Sequence, residues 1–236
     1  PRNADEHLKA AGKPIDYQYR FIAIGNYGSI DDVFNYAQTA INGTTASQVI
    51  PGDLIYIDFN GDGIINSNDK VVVDELNYPL TTIGFSFGFN WKGLNFSAML
   101  YSPRNIYKLQ FDQYLWDFPA SNIRVQPKSM ERWTPETANS SGVMRPATHL
   151  NNTYNKVEST YRYSDYSYIR LKNMEIGYTF PKKWLSEAHI SNLQVYMNGN
   201  NLLTFWKGDK RVDPETGGVG SYPIVRTYTL GLRVSF

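Results

Sequence analysis

Residues 228–236, Tyr-Thr-Leu-Gly-Leu-Arg-Val-Ser-Phe, alternate without a break, and this period of two constrains the chain more than any other feature. Tyr228, Leu230, Leu232, Val234 and Phe236 point to one side, and Thr229, Gly231, Arg233 and Ser235 to the other, which makes a strand with one apolar and one polar face. In a water-soluble sheet the apolar face is core. In an outer-membrane barrel it meets lipid while the polar face lines the lumen. An aromatic at Phe236, closing such a strand, is expected to be the assembly signal read by the barrel-assembly machinery.

Five further stretches read as strands. Tyr17–Gly25 is short and weak. In Leu80–Trp91, Ile83, Phe85, Phe87, Phe89 and Trp91 alternate with Gly84, Ser86, Gly88 and Asn90. Lys92-Gly93 makes a tight turn, and Leu94, Phe96, Ala98 and Leu100 then alternate with Asn95, Ser97, Met99 and Tyr101. Tyr161–Phe180 changes phase: Ile169 and Leu171 are apolar at odd positions, Met174, Ile176, Tyr178 and Phe180 at even ones. A bulge near Asn173 reconciles the two. Pro181 ends that strand, Lys182–Ile190 allows one helical turn, and Leu193–Trp206 and Tyr222–Phe236 follow.

The connectors between these strands alternate in length. Counting from the C-terminus they are long (207–221), short (181–190), long (102–160), very short (92–93) and long (26–79). Outer-membrane barrels sort their loops this way, with short periplasmic turns and long extracellular loops. The expected fold is therefore all-β, an antiparallel up-and-down transmembrane β-barrel segment. Residues 1–79 hold the weak strand and one outer loop; 80–236 hold the barrel strands with extracellular loops 102–160 and 207–221. Connector 102–160 is too long to be structureless, and Pro127–Trp133 reads as a short helix within an ordered flap.

Composition agrees. Aromatic residues make up 15% of the 236, Tyr outnumbering Phe by 18 to 12, as strands and lipid-interface girdles require. The net charge of +1, with Lys and Arg scattered, gives no footprint for nucleic acid. No apolar run reaches the length of about 18 residues that a membrane helix needs. Cys is absent, so there is no disulfide or thiol chemistry. The abrupt opening at Pro1, without an initiator Met, reads as a piece of something longer.

One motif stands apart. Asp58-Phe-Asn-Gly-Asp-Gly-Ile-Ile-Asn-Ser-Asn-Asp69 fits the twelve-residue calcium loop, with Asp58, Asn60 and Asp62 at positions 1, 3 and 5, Gly63 at 6, the Ile64 carbonyl at 7 and Asn66 at 9. Asp69 stands at position 12 where an EF-hand has Glu, and the spelling resembles the dockerin-type loop. A structural Ca²⁺ is expected, held by Asp58, Asn60, Asp62, Ile64 and Asp69. An Asn/Asp/Gly turn without metal is the plainer reading.

Catalysis finds no support. His7, His149 and His189 are isolated, and Glu131 with Glu136 or Asp112 with Asp117 are pairs that arise by chance among 22 acids. Gly217-Gly218-Val-Gly220 lacks the helix and Lys of a phosphate loop and reads as a loop tip. No enzyme is expected.

Several segments, in order, carry a resemblance: Pro51-Gly-Asp-Leu-Ile-Tyr-Ile-Asp58 with the acidic loop, Gly84–Gly93, Arg132-Trp133-Thr134-Pro135-Glu136, Ser167–Tyr178, Val195–Leu202 and Arg226–Phe236. Together they resemble the SusC/RagA-like TonB-dependent outer-membrane transporters of the Bacteroidetes, and in particular their C-terminal portion. The resemblance implies an outer-membrane importer of oligosaccharides or peptides, a SusD-like surface lipoprotein as partner, and a TonB complex acting through a plug outside these residues. It also implies a substrate path along lumen-facing Ser86, Asn90, Asn95, Tyr196, Asn198 and Arg233. The rival reading is a secreted calcium-binding β-sandwich, a glycan-binding module with Trp133 or Trp116 as sugar platforms.

Overall fold

The computed structural model describes residues 9, 11–13, 17–45, 48–110, 127–138, 142, 145–147, 153–208, 212–216 and 221–236. His7, His149, Trp116, Asp112, Asp117 and the Gly217–Gly220 tip lie outside them. The chain divides into two compact units, Pro1–Leu76 with Lys108–Ser164, and Asn77–Tyr107 with Asp165–Phe236.

The first unit draws on two of the three long connectors, 26–79 and 102–160. Its strands are short: β1 (Gln18–Arg20), β2 (Ala23–Asn26), β3 (Gln38–Thr39), β4 (Leu54–Tyr56), β5 (Ile64–Ile65) and β6 (Val71–Val73). They pair as β1 with β6, β2 with β4 and β3 with β5. The weak strand expected at Tyr17–Gly25 thus becomes two, separated at Phe21-Ile22, and neither joins the large sheet. Phe21 leaves the ladder because its ring enters a core with Tyr27, Leu54, Tyr56, Ile65, Tyr154 and Val157. Asn155, fully buried, ties the second connector to the first: its Oδ1 accepts from Leu54 N at 2.9 Å and its Nδ2 donates to Asp53 Oδ1 at 2.7 Å. Arg20, also buried, pairs with Glu75 at 2.5 Å and lies over the Tyr163 ring. Burial raises the Glu75 carboxyl above its ordinary range, and the Arg20 guanidinium partly offsets that. The expected short helix is a 3₁₀ segment, Pro127–Glu131.

The second unit is one five-stranded antiparallel sheet. Its strands are β7 (Thr81–Trp91), β8 (Leu94–Arg104), β11 (Tyr168–Thr179), β12 (Asn192–Trp206) and β13 (Thr227–Ser235); in sequence β9 (Tyr107–Leu109) and β10 (Tyr163–Asp165) fall between β8 and β11 and pair with each other in a separate sheet. The spatial order β13-β12-β11-β8-β7 keeps the sequence order of the long strands, as an up-and-down meander does. Lys92 (φ 46°) and Gly93 (φ 90°) both adopt positive φ, the condition for a two-residue turn whose twist matches the flanking strands. The register slips between Leu171 and Asn173 against both neighbours, so the bulge inferred from the phase change is present. Pro181 is followed by the helical turn Lys182–Leu185. The last strand begins at Thr227 rather than Tyr222, because Pro223 offers no N–H to a ladder.

Candidate functional site

The registers sort the side chains of the sheet into two faces. One row across all five strands runs Phe89, Phe96, Ile176, Met197 and Leu230; another runs Trp91, Leu94, Tyr178, Val195 and Leu232. This face is apolar from edge to edge and exposed among the described residues: Phe85 is 57% exposed, Leu230 78% and Leu232 68%. Phe96 is half-buried only because the Phe87 and Phe89 rings flank it, at 5.6 and 5.4 Å. A β-sandwich would bury such side chains against a second sheet, whereas here they are exposed. An open apolar face of this extent marks contact with a partner or with lipid.

The opposite face is polar and internally bonded. Ser97, Glu175, Asn198 and Thr229 form one row across four strands. Asn173 Nδ2 donates to Asn200 Oδ1 at 2.9 Å, Asn200 Nδ2 to Thr227 Oγ1 at 3.1 Å, and Asn198 Nδ2 to Glu175 Oε2 at 3.4 Å. All six residues expected along a path stand on this face. Ser86 is opposite Met99 and Asn90 opposite Asn95. Asn95 donates to Thr179 Oγ1 at 3.0 Å, and Arg233 donates to Gln194 Oε1 at 2.8 Å while lying 5.4 Å from the Tyr196 ring centroid. Tyr196 in turn lies across Gly231, where a Cβ would meet its ring at 2.4 Å. Asn95, Tyr196, Asn198 and Arg233 therefore each contact a side chain of a neighbouring strand, Asn95 meeting Thr179, Asn198 meeting Glu175, and Tyr196 meeting Arg233.

At one end of the polar face sits an ionic cluster that the alternation pattern does not reveal. Arg170 is 1% exposed; its Nη2 donates to both Asp213 oxygens at 2.8 Å, its Nη1 to Glu215 at 2.7 Å, and its Nε to Thr204 Oγ1 at 3.0 Å. Lys172 reaches Glu215 at 2.9 Å. A buried guanidinium is costly unless its donors are paired, and here the fork is matched by one bidentate carboxylate and a second carboxylate beside it. Lys172 is the residue skipped by the bulge, which turns it to the same carboxylate as Arg170. The phase change marks where the two cations stand but not the carboxylates they meet.

The acidic loop of the first unit is closed by its own side chains. Asp58 accepts from the N–H groups of Gly61 and Gly63, both at 2.8 Å, Asn60 Oδ1 from Asp62 N at 3.1 Å and Asp62 Oδ1 from Ile64 N at 2.8 Å. Gly63 has φ 81°, the sharp turn the motif requires. Asp69 is fully buried and accepts from Phe59 N at 2.9 Å and Asn66 N at 2.7 Å, clasping the two ends of the loop. Among the described residues no three carboxylate or imidazole side chains converge on one point.

The two-faced meander can be compared with known proteins. No family model matches the chain. TonB-dependent receptor P26 of Formosa agariphila is 33% identical over 218 residues, which cover 83% of this chain and 20% of that receptor. TonB-dependent receptor P3 of the same bacterium is 28% identical over 200 residues, 79% of this chain and 19% of the receptor. TonB-dependent receptor SusC of Bacteroides thetaiotaomicron is 24% identical over 194 residues, 79% of this chain and 18% of the receptor. The chain is a homologue of the TonB-dependent receptors, SusC among them.

Solved structures agree on the fold. The RagAB peptide transporter superposes with a TM-score of 0.65 at 20% identity, over 93% of this chain and 22% of that one, and RagAB in its open-open state with 0.63. This receptor homologue spans about a fifth of the length of the curated relatives it matches. The curated relatives are described as receptors. Glu131 and Glu136 stand on two separate 3₁₀ segments of the first unit.

Proposed function

We propose that this chain is the C-terminal barrel segment of a TonB-dependent outer-membrane nutrient importer. The observation that carries the reading is the sheet with an unbroken, exposed apolar face backed by a hydrogen-bonded polar face. Its long strands have 9 to 15 residues, enough for the tilted span of about 9–11 that crosses a bilayer. The apolar face meets lipid, and the polar face, with Ser86, Asn90, Asn95, Tyr196, Asn198 and Arg233, lines the lumen. Among the described residues β7 and β13 each have a strand on one side only, and open edges cannot stand in hydrocarbon, so further strands of the same protein close the barrel. The importer takes oligosaccharides or peptides, works with a SusD-like surface lipoprotein, and is driven by TonB. Phe236 is read by the barrel-assembly machinery.

The loop 58–69 holds one structural Ca²⁺ in this reading. The spelling of positions 1, 3, 5, 6 and 7 supports it, as do the lone pairs left on Asp58, Asn60 and Asp62 after their bonds to backbone N–H groups. Asp69 acts first as the clasp, since both its oxygens already hold the loop ends.

Fractionation tests the importer reading. The full-length protein, tagged and expressed in its own host, is expected in detergent extracts of the outer membrane together with a SusD-like lipoprotein. Recovery as a folded protein in the soluble fraction would refute it.

A further inference from the structure

The two short connectors of the sheet lie together at one end of it. The Lys92-Gly93 turn is fixed against β11: Gly93 O accepts from Thr179 N at 2.8 Å, and a Cβ on Gly93 would meet the Thr179 carbonyl oxygen at 2.6 Å. The connector 181–190 begins two residues later. Within it Trp184 N donates to the Pro181 carbonyl at 3.0 Å, and just beyond it Ser191 N donates to the Ser235 carbonyl at 2.8 Å. Leu185 is buried by this turn, which leaves its neighbour Trp184 66% exposed. Trp91, 63% exposed, stands in the same row of the apolar face as Tyr178, and the rings of Tyr178, Phe180 and Trp184 follow one another at centroid distances of 5.2 and 6.2 Å. The apolar face thus ends in aromatic rings. Three cations stand among them. Lys92 Nζ lies 5.2 Å from the Trp91 ring centroid, and Lys182 and Lys183 directly precede Trp184. All three are exposed, and among the described residues none of them is paired with a carboxylate. Glu187 is the one acid on the two connectors.

We propose that this end of the sheet is a docking surface for the headgroups of anionic phospholipids; the inference rests on the importer reading for placing the apolar face in lipid and the short turns at the periplasmic leaflet. Rings and charges make the selection together. An indole is apolar over most of its surface and carries one N–H, so it sits at the level of the headgroups, and Trp91 and Trp184 set the depth at which the three ammonium groups stand. Their stems lie along apolar surface while the charged ends reach the polar layer. Each ammonium is a compact charge with three donors, which a phosphodiester accepts in many orientations. In phosphatidylcholine the quaternary ammonium cancels the phosphate charge. Phosphatidylglycerol keeps it, and unpaired lysines that outnumber the local acid three to one favour that lipid. A soluble acidic partner would have to cover the rings as well as the charges. Those rings continue the face assigned to hydrocarbon, so the lipid itself is the occupant that fits.

The test uses the full-length protein purified from outer membranes in a neutral detergent. Phosphatidylglycerol and phosphatidylcholine with the same acyl chains are added in equal amounts, and the lipids retained are counted by native mass spectrometry. The protein is expected to retain phosphatidylglycerol over phosphatidylcholine by about fivefold, the preference that one lysine beside an anionic headgroup supplies. Lys92→Asn combined with Lys182→Gln and Lys183→Gln removes the charges, with Asn chosen because it tolerates the φ of 46° at position 92. That variant is expected to retain the two lipids equally. Lys182→Arg with Lys183→Arg keeps the charges and is expected to keep the preference. Equal retention of both lipids by the parent, or an undiminished preference in the neutralised variant, would overturn the surface. Displacement of phosphatidylglycerol by an equal concentration of soluble glycerol phosphate would show that the lysines take a free phosphate and would overturn the lipid assignment. Recovery of the folded protein in the soluble fraction would overturn the importer reading, whereas equal retention by a protein that fractionates with the outer membrane would overturn this inference alone.

Discussion

At the scale of single residues, the polar face depends on close cross-strand fits. Gly231 is a glycine because Tyr196 from the neighbouring strand occupies the space of its side chain, with a Cβ placed 2.4 Å from Cζ and 2.5 Å from Oη. Gly231→Ala is expected to destabilise the barrel by about 1–3 kcal/mol through overpacking, and Gly231→Ala with Tyr196→Ala to lose less than the two changes added. Urea unfolding of the full-length protein in lipid vesicles measures both. Arg170 carries a larger penalty. Arg170→Met leaves the nearly buried Asp213 carboxylate without its guanidinium and is expected to cost about 3–5 kcal/mol. Adding Asp213→Leu is expected to restore part of that loss, and if it does not, the ion pair is not what holds the 212–216 segment.

The elements differ in how far the sequence foretold them. The five long strands, the Lys92-Gly93 turn and the bulge near Asn173 follow from alternation and its interruption, because a period of two is a direct record of which face each side chain meets. Alternation also separated Phe85, Phe87, Leu230 and Leu232 from Ser86, Asn90, Asn198 and Arg233 onto opposite faces. The Arg170–Asp213 pairing was not legible, since nothing in a strand pattern says which loop carboxylate returns to it. The core of the first unit was not legible either: Tyr154 and Tyr56 meet across almost a hundred residues of sequence, with ring centroids 5.2 Å apart. The acidic loop is the element whose chemistry the residues specify most narrowly. Terbium luminescence is expected to report one divalent site, lost in Asp62→Ala, with chelation loosening residues 53–75 and leaving the long strands intact. An Asp62→Ala protein that binds terbium as tightly as the parent would mean that the loop is only a turn.

For the whole molecule, the account rests on a difference between two solvents. A sheet of this area with an apolar face bare to water would aggregate, whereas the same face in hydrocarbon needs no cover. That asymmetry makes a depth-dependent substitution pattern. Arg at Leu230 or Phe87, near the middle of the span, is expected to cost about 2–4 kcal/mol, and Arg at Thr229 much less. Lipid contact itself can be read more directly. Nitroxide labels placed one at a time at 85, 86, 87, 229, 230, 232 and 233 of the full-length protein in bilayers report collisions with oxygen, which concentrates in lipid, and with a water-soluble nickel chelate. The account predicts oxygen-dominated collisions at 85, 87, 230 and 232 and chelate-dominated collisions at 86, 229 and 233, following the alternation of the strands. Equal chelate access on both faces, or no alternation, would contradict it.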